Sequence, residues 1–299
     1  MIDFQKLDPA CRDLYNQYLT CGCRRGCEYS FVNLSLWGRQ RAAFVDGFLL
    51  LFSQFGQRSV YPFPVGSGDL RSVLDKIMED ARQRGIPCRL SSMTQSECDL
   101  LESLYPGRFH FYTDRDTYDY VYRVEDLAQL KGKRYQSKRN FCNRFWNTHP
   151  DCQILPLQPD AVREMADLWY AQRQNEDPLR SFHMEQVALD RALRHMDELG
   201  LEGLMLVEQG NILAFTLGSR LCCDTFDVHF EKALDVDGAY AAINQAFAQH
   251  LQRKYPELQY LNREDDLGIS GLRKAKLSYH PDHLVEKHWA RLWEADDEN

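Results

Sequence analysis

The clearest pattern along the chain is a helical one between Leu70 and Arg84. Apolar residues recur there three and four positions apart, at Leu70, Val73, Leu74, Ile77 and Ala81. This spacing predicts a helix with one buried face. Asp69 is expected to cap the start of the helix, and Gly85 is expected to end it.

Other stretches repeat the helical pattern less regularly. They predict helices over residues 9–20, 95–105, 160–174, 183–199 and 238–253, with a partly helical stretch over 31–37.

Strand patterns separate these helices. Two β-rich runs, 43–53 and 59–65, flank a turn around Gly56 and predict a hairpin. In the run 116–124, alternation places Tyr118, Tyr120, Tyr122 and Val124 on one face. Further strands are predicted over 88–91, 204–208, 212–221, 225–233 and 258–261. The runs 204–208, 212–221 and 225–233 follow one another across short turns, which predicts three antiparallel strands.

Composition limits the class of protein. With 299 residues, two domains of about 150 residues are expected. Hydrophobic residues make up 44% of the chain and charged residues 27%, as in ordinary globular proteins. The net charge of -8 argues against a protein that coats nucleic acid non-specifically. We find no signal-peptide pattern and no apolar run of membrane-spanning length, so a cytoplasmic protein without integral membrane association is expected.

Ten cysteines in such a chain fit a reducing compartment. Cys21, Cys23 and Cys27 lie close together in CGCRRGC. The motif lacks a CxxC pair and a second ligand cluster, so no metal site is predicted, and the role of these cysteines stays open.

The order of elements after residue 150 is helix, helix, three strands, helix and strand, which resembles a GNAT domain, the fold of the N-acetyltransferases. The first half follows a rougher version of the same order. The predicted fold is α/β (α+β): two tandem GNAT-like domains, 1–150 and 151–299, each with a mixed, largely antiparallel sheet flanked by helices. The second domain is expected to carry the site.

A basic run, KGKRYQSKRNFCNR, spans Lys131 to Arg144. If its second half is helical, it presents side chains that could bind phosphate oxygens. The candidates are Lys138, Arg139, Asn140 and Asn143. The alternative is a solvated helix whose charges only face water.

The predicted strand Thr225 to Ala233 carries ionisable side chains. Strict alternation places Asp227, His229 and Glu231 on one face. A carboxylate beside a histidine in a cleft can act as a general base, so these three residues are the catalytic candidates. The alternative is a strand whose polar face is simply wet.

The helix predicted to start at Gly238 offers backbone N–H groups and a positive dipole end to an anion. Asn244, within this helix, could reach a cleft. GNAT enzymes that use acetyl-CoA carry an Arg/Gln-x-x-Gly-x-Gly/Ala pattern before this helix. The corresponding stretch here is LDVDGAYAAIN, in which Asp235 and Asp237 would repel a pyrophosphate.

The segment YLNREDDLGISGLRKAKLSYHP, from Tyr260 to Pro281, is crowded with polar groups where a strand ends. Loops on a rigid scaffold often carry function. This position predicts a phosphate-binding role for five residues, Asn262, Arg263, Arg273, Lys274 and Lys276. The alternative is a surface loop whose charges pair with one another.

Three stretches carry a resemblance to a known family: DTYDYVYRVEDLAQLKGKRYQSKRNFCNRF, DTFDVHFEKALDVDGAYAAINQAFA and YLNREDDLGISGLRKAKLSYHP. Together they resemble the C-terminal domain of phosphatidylglycerol lysyltransferases and its soluble bacterial relatives. The resemblance implies a tandem GNAT-like fold. Membrane-bound members move an amino acid from aminoacyl-tRNA to a lipid head group, but the membrane-spanning half is absent from this sequence.

Two functional hypotheses follow. In the first, the protein is an acyl or aminoacyl transferase that acts on an amine or hydroxyl and takes a phosphate-bearing donor, either acyl-CoA or aminoacyl-tRNA. In the second, it is a non-catalytic module of the same fold that binds an RNA end or an anionic lipid head group. No certain cofactor is implied; tRNA and peripheral contact with anionic lipid are the expected partners.

Overall fold

A computed structural model describes residues 1–20, 24–37, 40–55, 58–173 and 182–293. The chain forms two compact units. The first contains Met1–Tyr118 together with the chain from Val285 onward, and the second contains Asp119–Leu284. This division differs from the expected one at residue 150. The boundary moves because strand pairing decides it: residues 119–123 pair with 260–262, and residues 288–292 pair with strands of the first unit.

Up to residue 118, short helices alternate with strands. The helices are α1 (Arg12–Leu19), α2 (Phe31–Leu36), α3 (Leu70–Arg84) and α4 (Gln95–Leu104). The strands are β1 (Gln5–Lys6), β2 (Gln40–Val45), β3 (Phe48–Phe55), β4 (Arg58–Pro62), β5 (Val65–Gly66), β6 (Arg89–Met93) and β7 (Phe109–Thr113).

From residue 119 onward the helices range from four to sixteen residues in length. They are α5 (Val124–Gln129), α6 (Gln136–Thr148), α7 (Pro159–Arg173), α8 (Phe182–Arg194), α9 (Met196–Leu199), α10 (Ala239–Lys254) and α11 (Ser270–Leu277). The strands are β8 (Asp119–Arg123), β9 (Gln153–Pro156), β10 (Glu202–Glu208), β11 (Asn211–Arg220), β12 (Thr225–Ala233), β13 (Tyr260–Asn262), β14 (His283–Val285) and β15 (His288–Leu292).

The sheet of the first unit has the order β1-β2-β3-β4-β6-β15-β7, with β5 paired to β3. Strands β4 and β6 run parallel. Helix α3 packs Val73, Leu74 and Ile77 into the core of this unit. The capping predictions for α3 are confirmed, because the Asp69 carboxylate accepts a hydrogen bond from the Ser72 N–H and Gly85 ends the helix with φ +66°.

The sheet of the second unit has the order β14-β8-β13-β12-β11-β10-β9. The strands β10, β11 and β12 form the predicted antiparallel meander. Strands β12 and β13 run parallel. Helix α10 packs Ile243, Phe247 and Leu251 into the core of this unit.

The first hairpin differs from the prediction. The run 43–53 is not one strand, because the chain turns at Asp46 and Gly47, which have φ +50° and +84°. Residues 40–45 and 48–55 therefore form two antiparallel strands. An Asp-Gly pair between β-rich runs is a strong hairpin signal, and it was present in AFVDGFLL. The expected turn at Gly56 lies outside the described residues.

Other elements were not predicted from the pattern. The segment expected to be a loop after residue 262 contains α11. The predicted helix 183–199 is two helices, α8 and α9. Strands β7, β9, β14 and β15 were missed; each is five residues or shorter, too short for alternation to distinguish it from a loop.

The CGCRRGC motif is described only in part. Cys21 and Cys23 lie outside the described residues. Cys27 is buried in the first unit, where Lys287 Nζ lies 3.5 Å from its sulfur and 2.8 Å from the Glu28 carboxylate.

Candidate active site

Strands β12 and β13 run side by side for only three residues. Their parallel pairing ends at Asp227 and Asn262, whereas β12 continues to Ala233. The chain leaves the sheet at Arg263, directly after β13. Side chains from the far half of β12 and from the segment after β13 therefore meet beyond the point where the strands separate.

A β-bulge in β12 decides which side chains meet there. Leu217 lies opposite Phe230 and Gly218 opposite Val228, so His229 is an extra residue without a partner in the register. The extra residue shifts the alternation by one position. Glu231 therefore lies on the face of Val228, opposite to that of Asp227. The prediction that Asp227, His229 and Glu231 share one face is wrong for Glu231.

Glu231 is the centre of a polar group within the second unit. Its Oε1 accepts a hydrogen bond from Arg263 Nη2 at 2.7 Å, and its Oε2 accepts one from Asn244 Nδ2 at 3.3 Å. The side chains of Glu231 and Arg263 are 8% and 15% exposed. Strand β12, helix α10 and the segment after β13 thus each supply one residue.

Two further polar atoms of this group have no partner in the described part of the chain. Asn244 Oδ1, on a residue that is 3% exposed, accepts no hydrogen bond, and Arg263 Nη1 donates none. Buried polar groups are nearly always paired, so such atoms require an explanation. A ligand could satisfy both atoms. Its amine or hydroxyl would donate to Asn244 Oδ1, and its carbonyl oxygen would accept from Arg263 Nη1.

Lys138 and Tyr279 complete the group. The Lys138 ammonium lies 3.9 Å from the centre of the Tyr279 ring, and the Arg263 guanidinium lies 5.1 Å from the same ring. Burial, and then the positive charge of Arg263, lower the pKa of Lys138. Burial raises the pKa of the Tyr279 hydroxyl, which therefore stays protonated. We call Glu231, Asn244, Arg263, Lys138 and Tyr279 the Glu231 site.

Asp227 and His229 belong to a different group of side chains. His229 Nδ1 lies 3.7 Å from the Asp227 carboxylate and 3.2 Å from Glu264 Oε1, and its Nε2 lies 2.9 Å from Ser219 Oγ. The ligand atoms of Asp227, His229 and Glu264 all lie within 4.8 Å of one another, a spacing that could hold a divalent cation. Of the three catalytic candidates, the structure thus brings two together and separates the third.

Asn262 has a structural position at the end of β13. It is fully buried, its Nδ2 donates to Asp119 Oδ2 at 2.9 Å, and its Oδ1 accepts from the Glu264 N–H at 2.6 Å. These two contacts hold the turn that follows the strand.

Two of the basic residues expected to bind phosphate have partners on their own segment. Arg273 donates two hydrogen bonds of 2.7 Å to Asp266. Burial would raise the pKa of that carboxyl, but hydrogen bonds from Arg273 and Tyr120 lower it to about 2.

The Lys276 ammonium donates to the carbonyl oxygens of Arg263, Glu264 and Asp265. Burial, and then the charge of Arg263, lower the pKa of Lys276. Lys274, on the same helix, is exposed.

Helix α6 carries the other predicted phosphate ligands. Arg139 donates to the carbonyl oxygens of Leu130 and Gly132, which closes the turn after α5. Asn140 and Asn143 are exposed. Of the four candidates on this helix, only Lys138 joins the Glu231 site.

The start of α10 is tightly packed. Gly238 has φ +83°, and a Cβ there would lie 2.3 Å from the Phe141 carbonyl oxygen of α6. The preceding acidic residues are paired, Asp237 with Arg144 at 3.1 Å and Asp235 with Arg173.

Sequence reasoning missed Tyr279 and the ring of Tyr122, which lies 5.7 Å from the Arg263 guanidinium. Tyr279 stood in a segment singled out for its charges, and Tyr122 in a strand singled out for its alternation. A tyrosine beside an arginine is a weak signal in sequence, because cation–π contacts depend on side chains brought together by folding.

Among the described residues, no helix is long and apolar enough to cross a bilayer.

Two solved structures share this architecture at low sequence identity. L-PGS from Bacillus licheniformis has a TM-score of 0.67 and is 15% identical, with 96% of this chain and 93% of that chain covered. A tandem GNAT protein from the clavulanic acid biosynthesis pathway has a TM-score of 0.52 and is 10% identical, with 99% and 100% covered. The protein therefore has a tandem GNAT-like fold, as the order of elements predicted.

The chain also belongs to the family described as phosphatidylglycerol lysyltransferase, C-terminal, whose model matches residues 23–291. The family resemblance of the three sequence stretches is thereby confirmed. A conserved protein of unknown function from Bacteroides thetaiotaomicron is 41% identical, with a TM-score of 0.92 and coverage of 98% of this chain and 100% of that one.

An uncharacterized protein of Mycoplasmoides gallisepticum is 23% identical over 181 residues, which cover 58% of this chain and 56% of that protein. The chain thus matches a little over half the length of this curated relative.

Proposed function

We propose that this protein is an aminoacyl or acyl transferase that acts at the Glu231 site. A nucleophilic amine or hydroxyl attacks the carbonyl carbon of a phosphate-bearing donor. The new bond to the acceptor forms, the bond to the donor oxygen or sulfur breaks, and the acceptor's proton passes through Glu231 to the leaving group. The proposal includes a cytoplasmic location, where both kinds of donor are made.

The observation that supports it is the pair of buried atoms beside Glu231. Asn244 Oδ1 is an acceptor suited to the amine or hydroxyl, and Arg263 Nη1 is a donor suited to the carbonyl oxygen. A guanidinium in a buried site stabilises negative charge that develops on that oxygen. Glu231 lies between them, hydrogen-bonded to both residues.

Aminoacyl-tRNA is the donor that these features favour over acyl-CoA. Asp235 and Asp237 precede α10, where acetyl-CoA-dependent GNAT enzymes hold a pyrophosphate. Lys138 at the site, with the exposed Asn140, Asn143 and Lys274, offers the contacts to donor phosphates.

Isosteric replacement of the proposed base tests the function. Glu231→Gln keeps the shape of the side chain and removes its basicity. With labelled aminoacyl-tRNAs, and with phosphatidylglycerol vesicles or small amines as acceptors, we expect transfer to fall about 100-fold or more. Glu257→Gln, at an exposed carboxylate paired with Arg220, is the matched control and should transfer at the wild-type rate. Full activity in Glu231→Gln would show that Glu231 is not the base of the reaction.

The second candidate function is a non-catalytic module that binds a phosphate-bearing ligand. The acidic residues before α10 favour this function, because acidic side chains at that position do not bind the pyrophosphate of an acyl-CoA donor. Thermal shift distinguishes the two, because a ligand at 100 times its Kd stabilises the protein by about 2.7 kcal/mol. A shift with uncharged tRNA or phosphatidylglycerol vesicles, with no transfer from any acyl donor, would support the module.

A further inference from the structure

One more buried polar side chain lies beside the Glu231 site. Strand β11 is antiparallel to β12, and in their register Thr216 lies directly opposite Glu231. Directly opposite residues share a face of the sheet, with Cβ atoms about 5 Å apart. Thr216 is fully buried, and its Oγ1 has no hydrogen-bond partner within the described ranges of the chain. The Thr216 hydroxyl is therefore a third unpartnered polar group, next to those of Asn244 and Arg263.

Glu231 fixes the orientation of the Asn244 amide. An ionised carboxylate only accepts hydrogen bonds, so the NH2 group of Asn244 must face Glu231, as it does at 3.3 Å. The reversed amide would place its oxygen against the carboxylate. The atom left without a partner is therefore Oδ1, which accepts hydrogen bonds and cannot donate them. A ligand in contact with this atom must supply an N–H or O–H.

The number of protons on the acceptor substrate distinguishes an amine from a hydroxyl. In the proposed transfer, the attacking group gives a proton to Glu231. A hydroxyl has one proton, and once that proton faces Glu231 none remains for Asn244 Oδ1. A neutral primary amine has two protons, one for each atom. A hydroxyl substrate would leave a buried acceptor unpaired, and this costs it transition-state stabilisation that the amine keeps.

We infer that the acceptor substrate of the Glu231 site is a primary amine, a choice that rests on the transfer proposed above. The amine arrives as an ammonium group, whose three N–H groups match three acceptors: the Glu231 carboxylate, Asn244 Oδ1 and Thr216 Oγ1. The positive charge of Arg263, which is hydrogen-bonded to Glu231, favours the loss of one proton to water. The neutral amine keeps the N–H groups that face Glu231 and Asn244.

The product of this reaction is an amide. The amine nitrogen bonds to the carbonyl carbon of the donor, and the bond from that carbon to the donor oxygen or sulfur breaks. One N–H proton passes through Glu231 to the leaving oxygen or sulfur. The other stays on the nitrogen and donates to Asn244 Oδ1, while Arg263 Nη1 donates to the carbonyl oxygen.

Ethanolamine and ethylene glycol test the choice, because they differ only by an amine in place of a hydroxyl. With labelled aminoacyl-tRNAs as donors, and after subtraction of the rates without protein, kcat/KM for ethanolamine should exceed that for ethylene glycol about 100-fold or more. The product should be an amide, which survives mild alkali, and not an ester. Asn244→Leu should lower the ratio of the two kcat/KM values about tenfold, because the second N–H loses its acceptor.

Vesicles form a second arm of the experiment, because a free amine and a lipid-borne amine present the same group. Phosphatidylethanolamine vesicles are compared with phosphatidylglycerol vesicles, whose head group carries hydroxyls only. Transfer to either amine in preference to its hydroxyl counterpart supports the inference. The amine with the higher kcat/KM identifies the source as free or lipid-borne.

Thr216→Val tests the third acceptor, since valine keeps the shape of threonine and removes the hydroxyl. Because this hydroxyl is buried without a partner, its removal should leave the melting temperature unchanged or raise it. The KM for ethanolamine should rise about tenfold at nearly constant kcat. The matched control is Thr225→Val on β12, where the hydroxyl donates to Asp224 at 2.8 Å. This control should lower the melting temperature and leave the KM unchanged.

Three results would overturn the inference: transfer to ethylene glycol or phosphatidylglycerol as efficient as transfer to the amines, a wild-type KM in Thr216→Val, or an unchanged ratio in folded Asn244→Leu. If no donor supports transfer, thermal shift separates the two proposals. Stabilisation by ethanolamine and not by ethylene glycol, lost in Thr216→Val, would retain amine binding and reject the transferase. Stabilisation by neither compound would reject amine binding as well, and would mean that ordered water satisfies these atoms.

Discussion

Arg263 donates a 2.7 Å hydrogen bond to Glu231 across the gap that opens where β13 ends and β12 continues. The two residues are far apart in sequence, and both side chains are largely buried. Removing one member of a buried ion pair leaves the other charge uncompensated.

Arg263→Met should therefore destabilise the protein by about 3 kcal/mol, measured by urea unfolding. Arg263→Lys keeps the positive charge beside Glu231 but lacks the second guanidinium N–H. It should therefore destabilise the protein less than Arg263→Met does. In the double variant Arg263→Met with Glu231→Gln, the cost should be smaller than the sum of the single costs. Additive costs would mean that the two side chains do not depend on each other.

Lys274 and Lys276 lie on the same helix and should behave differently. Lys276→Met leaves three carbonyl oxygens without their donor and should cost about 2 kcal/mol or more of unfolding free energy. Lys274→Met should leave stability within about 0.5 kcal/mol of the wild type, because its side chain is exposed. If Lys274 contacts donor phosphates, its replacement raises the KM for the donor at constant stability. Equal destabilisation by both changes would contradict this assignment.

Asp266 should give the protein an acid-dependent stability. Its folded pKa of about 2 lies below the ordinary value of 3.8, since Arg273 and Tyr120 stabilise the ionised form against the effect of burial. A depressed pKa contributes stability above the unfolded pKa, and this contribution is lost as the pH falls from about 4 to about 2.

The expected contribution is about 2 kcal/mol. The unfolding free energy of the wild type should thus fall more steeply between pH 4 and pH 2 than that of Asp266→Asn. Identical slopes in this window would show that Asp266 does not carry the effect.

Gly238 can be tested against a glycine with the same backbone angle. Gly238 and Gly210 have φ +83° and +81°, but only at Gly238 would a Cβ meet backbone, 2.3 Å from the Phe141 oxygen. Gly210→Ala should cost about 1 kcal/mol for the left-handed conformation alone. Gly238→Ala should cost about 2 kcal/mol more, because α6 and α10 must move apart. Equal melting temperatures of the two variants would exclude this packing constraint.

Much of the fold was accessible from periodicity. Helix α3 follows its prediction from Leu70 to Arg84, and β12 has the predicted bounds Thr225–Ala233. Both are long enough for several repeats of their period to be visible. Strand β15 is not predictable in this way, because its five residues contain less than three periods of the alternation. Its partners β7 and β6 lie about 180 and about 200 residues earlier in the chain.

The candidate site was predictable only in part. Arg263, Asn244, Lys138 and Glu231 were all named from sequence, in four separate segments and with different roles. Their meeting at one place was not predictable, since it depends on where β13 stops and on the packing of α6 and α10 against the sheet.

The sequence by itself determined the longer helices and strands, the family and the residue types that could do chemistry, because periodicity and motifs are local properties of the chain. Only the tertiary structure decided that Glu231 and not Asp227 lies beside Arg263. A single extra residue at His229 reverses the faces of β12 beyond it, and a bulge leaves no mark in the alternation of TFDVHFEKA. The face of a side chain in a bulged strand is a property of the pairing with its neighbour, which the strand's own sequence does not contain.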